Sequence, residues 1–340
     1  QLVGLPPSSN AKSMSPDSLL AETLGDVLDR VTEDKAKVIG LALKDRAGIL
    51  MAGRKADAAY WLVNRRWITS SWYMERLPGY VRAYNESRPI DAYAGKTWNF
   101  LLPKDKYHLY RPDDYEHEND DYGLGRAFPH RLATRDESSF DRQFPCTPYG
   151  NDATLLAARL IVENEALGGD DVTDLLCLGL SSNDYLGHQY GPYSLEVEDA
   201  TYRLDRQLAG FVDFLNVHVG EGNWTLVLSA DHGVAPIPEF VTQLGLKRKR
   251  NPLGDLSELQ AKVEARLREK LGPPNQKKAY VLALENSQLF LTRNPEVLPE
   301  KQRAAARAIA REVVLAEEAV FAAYTADQLD ADEPSSHPPK

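Results

Sequence analysis

The stretch WTLVLSADHGVAP, residues 224–236, decides the predicted fold. Its first half, Trp224–Ser229, is a short apolar run that predicts a buried strand in a helix-covered sheet. Asp231 and His232 follow at the predicted carboxyl end of this strand, and Gly233 allows a sharp turn. Open α/β sheets bind ligands at this end of their strands, and a carboxylate beside an imidazole suits a zinc-like divalent metal. Taken alone, the stretch is also compatible with an ordinary turn.

A second stretch, DVTDLLCLGLSSNDYLGHQYGP, repeats this design earlier in the chain. Leu175–Leu180 predicts another buried strand, and Asp184 and His188 follow it, four residues apart. Gly187 lies between them and gives the backbone the freedom to bring the carboxylate and the imidazole together. Two strands that each deliver one Asp and one His indicate two neighbouring metal ions. Such a pair of ions can clamp the attacking and leaving oxygens of an in-line phosphoryl transfer.

Two cations follow a third predicted strand, Lys37–Leu43. Lys44 and Arg46 are separated by one residue, so both side chains point to the same side if the strand geometry continues. There they can hold one anion together. The alternative is a solvated turn in which both side chains extend into water.

The composition excludes several classes of protein. The chain has 340 residues, of which 43% are hydrophobic and 26% charged, as is typical of a globular protein with a large core. Its net charge of -10 argues against a general nucleic-acid surface. Two cysteines exclude a disulfide framework, and Cys177 is expected to be a buried small hydrophobe. No apolar segment has the length of a membrane span. The chain starts without a leader sequence, which says nothing about its compartment.

The remaining pattern predicts an α/β order with one irregular region. Ser15-Pro16-Asp17 starts a helix that continues through Leu28, and a long amphipathic helix, Ser194–Val219, joins the two metal-site strands in a parallel crossover. Further elements are predicted as helices at 152–165, 255–270 and 299–323 and as a hairpin at 279–292.

The region 53–148 is rich in Tyr and Trp and reads as an insertion or cap over the sheet. Its acidic run, Asp113–Asp121, is compatible with a Ca²⁺ site, but a solvated loop is favoured. Three histidines of this region are interpreted as structural or surface residues: His108, His117 and His130. The basic tetrad Lys247–Arg250 is interpreted as an exposed loop rather than a localisation or nucleic-acid signal.

Together these stretches resemble the alkaline phosphatase superfamily, and within it the PafA-like zinc phosphomonoesterases of the type I phosphodiesterase/nucleotide pyrophosphatase group. The resemblance is carried by residues 37–61, 67–73, 147–161, 170–205 and 226–240, of which the last two stretches are the most specific. It implies a three-layer α/β/α sandwich with a cap insertion. The expected organisation is a single incomplete domain, residues 1–340, with the insertion at 53–148 and without the first and last strands of the fold.

The resemblance also implies the site. Asp184 and His188 resemble the ligands of one zinc ion, and Asp231 and His232 resemble those of the other. In the family the remaining zinc ligands and the Thr or Ser nucleophile lie outside the stretch that this chain matches, and His337 is not expected to replace the final His ligand. The chain alone is therefore expected to bind zinc weakly and to hydrolyse phosphate esters poorly.

Lys44 and Arg46 resemble the pair that holds the phosphoryl oxygens in the monoesterase branch. A monoester dianion carries more charge than a diester, so cations aimed at its free oxygens favour it. The resemblance implies an alkaline phosphatase with two Zn²⁺ ions that acts on phosphate monoesters through a phospho-enzyme, in a periplasmic or secreted parent protein. Two alternatives remain: a phosphodiesterase or nucleotide pyrophosphatase of the same superfamily, and a non-catalytic metal-binding protein.

Overall fold

The computed structural model describes residues 1–331 except 7, 8, 10, 109, 247–252, 254 and 275–277. The chain divides into two compact units, Gln1–Ile237 and Pro238–Lys340. The first unit contains the strands β1 (Leu2–Val3), β2 (Val38–Ala42), β3 (Ala58–Val63), β4 (Arg66–Ser70), β5 (Thr97–Trp98), β6 (His130–Arg131) and β7 (Leu175–Gly179). Its helices are α1 (Leu24–Val31), α2 (Asp45–Ala52), α3 (Gly79–Ser87), α4 (Phe140–Gln143), α5 (Tyr149–Asn164), α6 (Ser182–Tyr190) and α7 (Leu195–Leu215).

A mixed sheet with the order β1-β4-β3-β2-β7 lies at the centre of the first unit. Its middle is parallel, since β2 pairs in parallel with both β3 and β7, and β4 and β1 are added antiparallel. In the register of β2 and β7, Ala42 lies opposite Gly179, so both strands end at the same edge. Polar residues that follow these two strands therefore meet.

Helices cover both faces of this sheet, because side chains alternate between the faces along each strand. Leu41 and Tyr60 belong to a core cluster that includes residues of α3, α5 and α7. Val38 and Trp61 point the other way, into a cluster that includes residues of α1 and α2. The result is the predicted α/β/α layering. Gly40 allows α2 to lie directly on β2, because a Cβ at this position would come within 2.2 Å of the Gly48 carbonyl oxygen.

The sheet takes its third and fourth strands, β3 and β4, from the region predicted as an insertion. The later part of that region, from about residue 90, instead packs around a separate aromatic cluster that includes Trp98 and Phe140. Leu186 and Tyr190 of α6 are fully buried in the same cluster. The aromatic region thus packs against the helix that carries two of the predicted metal ligands.

The prediction of a buried strand at Trp224–Ser229 is wrong in this structure. Residues 224–230 form no strand, and Val227 and Leu228 are 85% and 76% exposed. An apolar run becomes a strand only when another strand pairs with its backbone, and none of the described strands does so here. The predicted parallel crossover through α7 is therefore absent, and β7, predicted to be buried, is a half-buried edge strand that carries a half-buried Cys177.

The predicted first helix is split into two pieces. Ser15 caps only a short 3₁₀ turn, Pro16–Ser18, and the α-helix begins at Leu24. Thr23 and Asp26 form a capping box at that second start, which satisfies the free N–H groups of the first turn.

The second unit contains α8 (Pro238–Gln243), α9 (Leu256–Leu271), β8 (Val281–Glu285), β9 (Gln288–Leu291), α10 (Glu300–Leu315) and α11 (Ala326–Asp330). Asp255 caps α9 as predicted, and β8 and β9 form the predicted hairpin. Asn286 and Ser287 turn the hairpin with φ angles of 50° and 61°, as a two-residue turn of this kind requires. Helix α10 corresponds to the helix predicted at 299–323, but it ends at Leu315.

Two sequence predictions concern residues outside the described part of the chain, namely the basic tetrad Lys247–Arg250 and His337. Among the helices that the structure does describe, none has the length and apolar character needed to cross a bilayer.

Candidate metal centre

The candidate site lies where β2 and β7 end. Lys44 follows β2 and occupies the N-cap position of α2, while Asp184 lies in the first turn of α6. The Lys44 ammonium donates a hydrogen bond to Oδ2 of Asp184 and also lies 4.4 Å from the ring centroid of Tyr185. Both charged side chains are about three-quarters buried, with exposures of 27% and 23%, so their attraction is screened less than on an open surface.

The predicted ligand pair Asp184 and His188 is held by a helix. The sequence analysis relied on Gly187 to flex a loop between Asp184 and His188, but both residues belong to α6. A spacing of four residues places them one above the other on a single helix face. Nε2 of His188 consequently lies 3.2 Å from Oδ1 of Asp184.

His232 reaches the same carboxylate from the extended segment after α7. Its Nε2 lies 3.3 Å from Oδ1 of Asp184. Its Nδ1 lies 3.0 Å from the carbonyl oxygen of Gly233. Because a carbonyl only accepts, Nδ1 donates a hydrogen bond to it, and Nε2 is the ring nitrogen that faces Asp184. A histidine that binds a metal through Nε2 is commonly oriented in this way.

Asp184, His188 and His232 form a set that fits a metal ion. Each offers one ligand atom, and within the described ranges these three atoms lie within 4.8 Å of one another. One carboxylate oxygen and two imidazole nitrogens form a donor set typical of zinc, which needs three protein ligands in catalytic sites. The chemistry of the residues present therefore fits zinc.

Asp231 and Arg46, two further predicted site residues, are not part of this three-atom set. Asp231 is adjacent to His232, with its Oδ2 3.6 Å from Nε2 of that residue, but its side chain is 83% exposed and outside the three-atom set. Arg46 is exposed on α2, which begins at Asp45. Strand geometry therefore stops at Lys44, so the condition under which both side chains would point to one side is not met.

The electrostatics of the site keep Asp184 charged. Burial alone would raise the pKa of its carboxyl group, but the hydrogen bond and charge of Lys44 and the two imidazoles lower that pKa below its ordinary value. A carboxylate that stays deprotonated is ready to bind a cation, because protons and metal ions compete for the same oxygens.

A buried polar network beside the site was missed by the sequence analysis. The acidic run was expected to be a solvated loop, yet Glu118 is buried and pairs with Arg111 at 2.9 Å. His130 is fully buried, between the Leu124 carbonyl and Glu196. Its partner is 66 residues away in sequence, so no local spacing could reveal the pair.

Comparisons with known proteins agree with this architecture. The sequence model of the type I phosphodiesterase / nucleotide pyrophosphatase family matches residues 21–336. A protein of Elizabethkingia meningoseptica named alkaline phosphatase PafA is 35% identical over 293 residues, which are 84% of this chain and 52% of that protein. A protein of Myroides odoratus named calcium-transporting ATPase is 37% identical over 326 residues, 94% of this chain and 58% of that protein.

The crystal structure of wild-type alkaline phosphatase PafA superposes with a TM-score of 0.84 at 32% identity, covering 99% of this chain and 63% of that one. The mixed α/β fold described above is therefore that of the PafA alkaline phosphatase. The chain spans about half the length of the two relatives, 52% and 58%.

Proposed function

We propose that this chain, which belongs to the type I phosphodiesterase / nucleotide pyrophosphatase family, is part of a zinc-dependent hydrolase of phosphate monoesters, an alkaline phosphatase. The observation that carries the proposal is the meeting of Asp184, His188 and His232 beside Lys44. A metal-binding donor set next to a lysine is the arrangement that phosphoryl chemistry needs, because it neutralises the charge on phosphoryl oxygens.

The proposed cofactor is a pair of Zn²⁺ ions. The resemblance assigns Asp184 and His188 to one ion and Asp231 and His232 to the other. Because Nε2 of His232 lies 3.3 Å from Oδ1 of Asp184, we propose that Asp184, His188 and His232 hold the first ion and that Asp231 helps to hold a neighbouring second ion. When bound, zinc ions supply Lewis-acid stabilisation of negative charge on phosphoryl and leaving-group oxygens. The nucleophile is not assigned to any residue of this chain.

Lys44 and Arg46 are proposed to hold the free oxygens of the substrate. Lys44 is supported by its position, since its ammonium contacts Oδ2 of Asp184 and thus lies at the metal ligands. Arg46 is free to move, because its exposed guanidinium has no ion-pair partner among the described residues, and its planar fork can bind two phosphoryl oxygens at once. A monoester dianion gains more from both cations than a diester does.

Hydrolysis of phosphate diesters or nucleotide pyrophosphates is the second candidate, because the matched family is named for those activities. The cation pair favours the monoester, while the zinc ligands favour neither. A periplasmic or secreted location of the parent protein is proposed with the monoesterase activity, by resemblance to bacterial alkaline phosphatases.

Paired kinetics separate these functions. The parent protein that contains this chain should be assayed for kcat/KM with one aryl phosphate monoester and the matching diester, before and after chelation and after zinc is returned. The proposal expects a preference for the monoester that disappears on chelation and returns with zinc. A preference for the diester would favour the second candidate. Turnover of the monoester that survives chelation would refute zinc dependence.

A further inference from the structure

The C-terminal turn of α6, which carries His188, exchanges hydrogen bonds with the loop of residues 111–125. Asn119 donates its backbone N–H to the Gln189 carbonyl at 3.0 Å, and the Gln189 side chain donates back to the Asn119 carbonyl. The hydroxyl of Tyr190 donates to the Gly125 carbonyl at 3.1 Å. Helix ends leave carbonyl groups without partners inside the helix, and this loop supplies the missing donors.

Arg111 is at the centre of this contact. Its Nη2 donates to the Tyr190 carbonyl and also contacts Oε1 of Glu118 at 2.9 Å. The two charged side chains are 3% and 1% exposed. Ion pairs this deeply buried contribute little net stability, because the cost of removing both charges from water offsets their attraction. We therefore look for the role of the Arg111–Glu118 pair in the element that it positions, which is the end of α6.

Its position points to the metal ligands. Tyr190 follows His188 by two residues in the same helix, so the bond from Arg111 to the Tyr190 carbonyl sets where the end of α6 lies. Zinc tolerates deviations of only about 0.2 Å in its ligand distances. A small displacement of this helix end would move Nε2 of His188 away from the set shared with Asp184 and His232.

We propose that Arg111 is a positioning residue of the metal centre, acting through the C-terminal turn of α6 on His188. This inference rests on the proposed function, because it assumes that Asp184, His188 and His232 bind zinc. This role differs from general support of the fold. Loss of the Arg111 contacts would displace His188 even if α6 stayed helical.

The experiment is a zinc titration of the parent protein that contains this chain, against a chromogenic competing chelator, in wild type and in Arg111→Met. Outer-shell partners of metal ligands typically contribute ten- to hundredfold in metal affinity, so Arg111→Met should weaken zinc binding by about that factor. Arg111→Lys keeps the charge and one donor group, and it should recover part of the loss. Folding of each variant is followed by circular dichroism.

Arg65→Met is the matched control. Arg65 is also a largely buried arginine, 21% exposed, with its Nη1 3.0 Å from Oδ1 of Asp91, but its hydrogen bonds go to other parts of the first unit. It should lower stability without changing zinc affinity.

Glu118→Gln tests the other half of the pair. Burial raises the pKa of Glu118 and so disfavours its negative charge, and glutamine keeps the size of the side chain without that charge. The glutamine oxygen still accepts from Arg111, and zinc affinity should stay unchanged.

The outcomes are distinguishable. Equal zinc affinity in wild type and Arg111→Met would overturn the positioning role while leaving the proposed function intact. Failure of the wild type to bind zinc would overturn the metal centre itself. If Arg111→Met does not fold, Arg111→Lys decides: affinity equal to that of wild type would contradict the proposal, and a loss with the fold retained would support it.

Discussion

Replacing Asp184 by asparagine should remove zinc binding more effectively than any other conservative change at the site. Oδ1 of Asp184 lies 3.2 Å from Nε2 of His188 and 3.3 Å from Nε2 of His232, so this one oxygen joins both imidazoles. The substitution keeps the size of the side chain and removes its charge. Asparagine offers zinc only a neutral amide oxygen, which is a much poorer ligand than a carboxylate.

The magnitude follows from the place of Asp184 in the set. Loss of an outer-shell partner already costs about ten- to hundredfold in metal affinity. A direct ligand should cost more, so we expect at least about a hundredfold, which corresponds to about 2.8 kcal/mol at 1.4 kcal/mol for each factor of ten. The assay is competition with a chromogenic chelator at neutral pH, with circular dichroism to show that the variant is folded.

Asp231→Asn is the matched control, because it makes the same chemical change next to His232. Asp231 is 83% exposed and lies outside the three-atom set, so Asp231→Asn should reduce zinc binding less than Asp184→Asn. It should lower the number of zinc ions bound and leave the affinity for the first ion unchanged. The reasoning is refuted if Asp184→Asn binds zinc as tightly as wild type, or if Asp231→Asn has the larger effect on the first ion.

Three further predictions concern substrate choice and stability. Replacing both Lys44 and Arg46 by alanine in the parent protein should lower kcat/KM for an aryl monoester on the order of a hundredfold or more, at about 1.5–3 kcal/mol for each charge-assisted contact, and for the diester much less; equal losses would mean that the pair is structural. Burial alone would raise the pKa of Asp26, but backbone N–H groups of Thr23 and Lys55 hold it below the ordinary 3.8, so its stabilisation is present above that pH and is lost as pH falls through the lower folded pKa. Asp26→Asn should therefore lower the free energy of unfolding by about 1 kcal/mol at neutral pH and by progressively less in acid; urea unfolding across this range would show a constant difference if the reasoning is wrong. Ser287→Gly should raise the free energy of unfolding by about 1 kcal/mol, because glycine adopts the φ of 61° without strain, and an unchanged or lower melting temperature would contradict this.

Much of the site was predictable because its residues follow short apolar runs. The run at Lys37–Leu43 contains the buried strand β2, and Lys44 follows it as predicted. The carboxyl ends of parallel strands share one edge, so side chains from distant parts of the chain meet there. That rule brings Lys44 and Asp184 together across 140 residues.

Local sequence patterns do not show which other strand or helix a predicted element pairs with or packs against. Trp224–Ser229 has the composition of a buried strand, yet pairing depends on a neighbouring strand, which composition does not show. The Asp184 to His188 spacing fits a flexible loop or one helical turn equally well, and packing of Leu186 and Tyr190 into the aromatic cluster favours the helix.

The buried pair of Arg111 and Glu118 was hidden for a similar reason. Glu118 lies seven positions after Arg111, inside the acidic run Asp113–Asp121, and such runs are usually solvated. Their burial depends on the Tyr190 carbonyl, 79 residues from Arg111. Only the folded chain reveals which charges of the run face water and which face α6.

The most direct test of the metal centre is the anomalous scattering of zinc from crystals of the chain grown with Zn²⁺. The account predicts an ion within about 2.0–2.2 Å of Asp184 Oδ1, His188 Nε2 and His232 Nε2. A second peak beside Asp231 would support the pair of ions. Density for zinc at other residues, with none at these three atoms, would contradict the central claim.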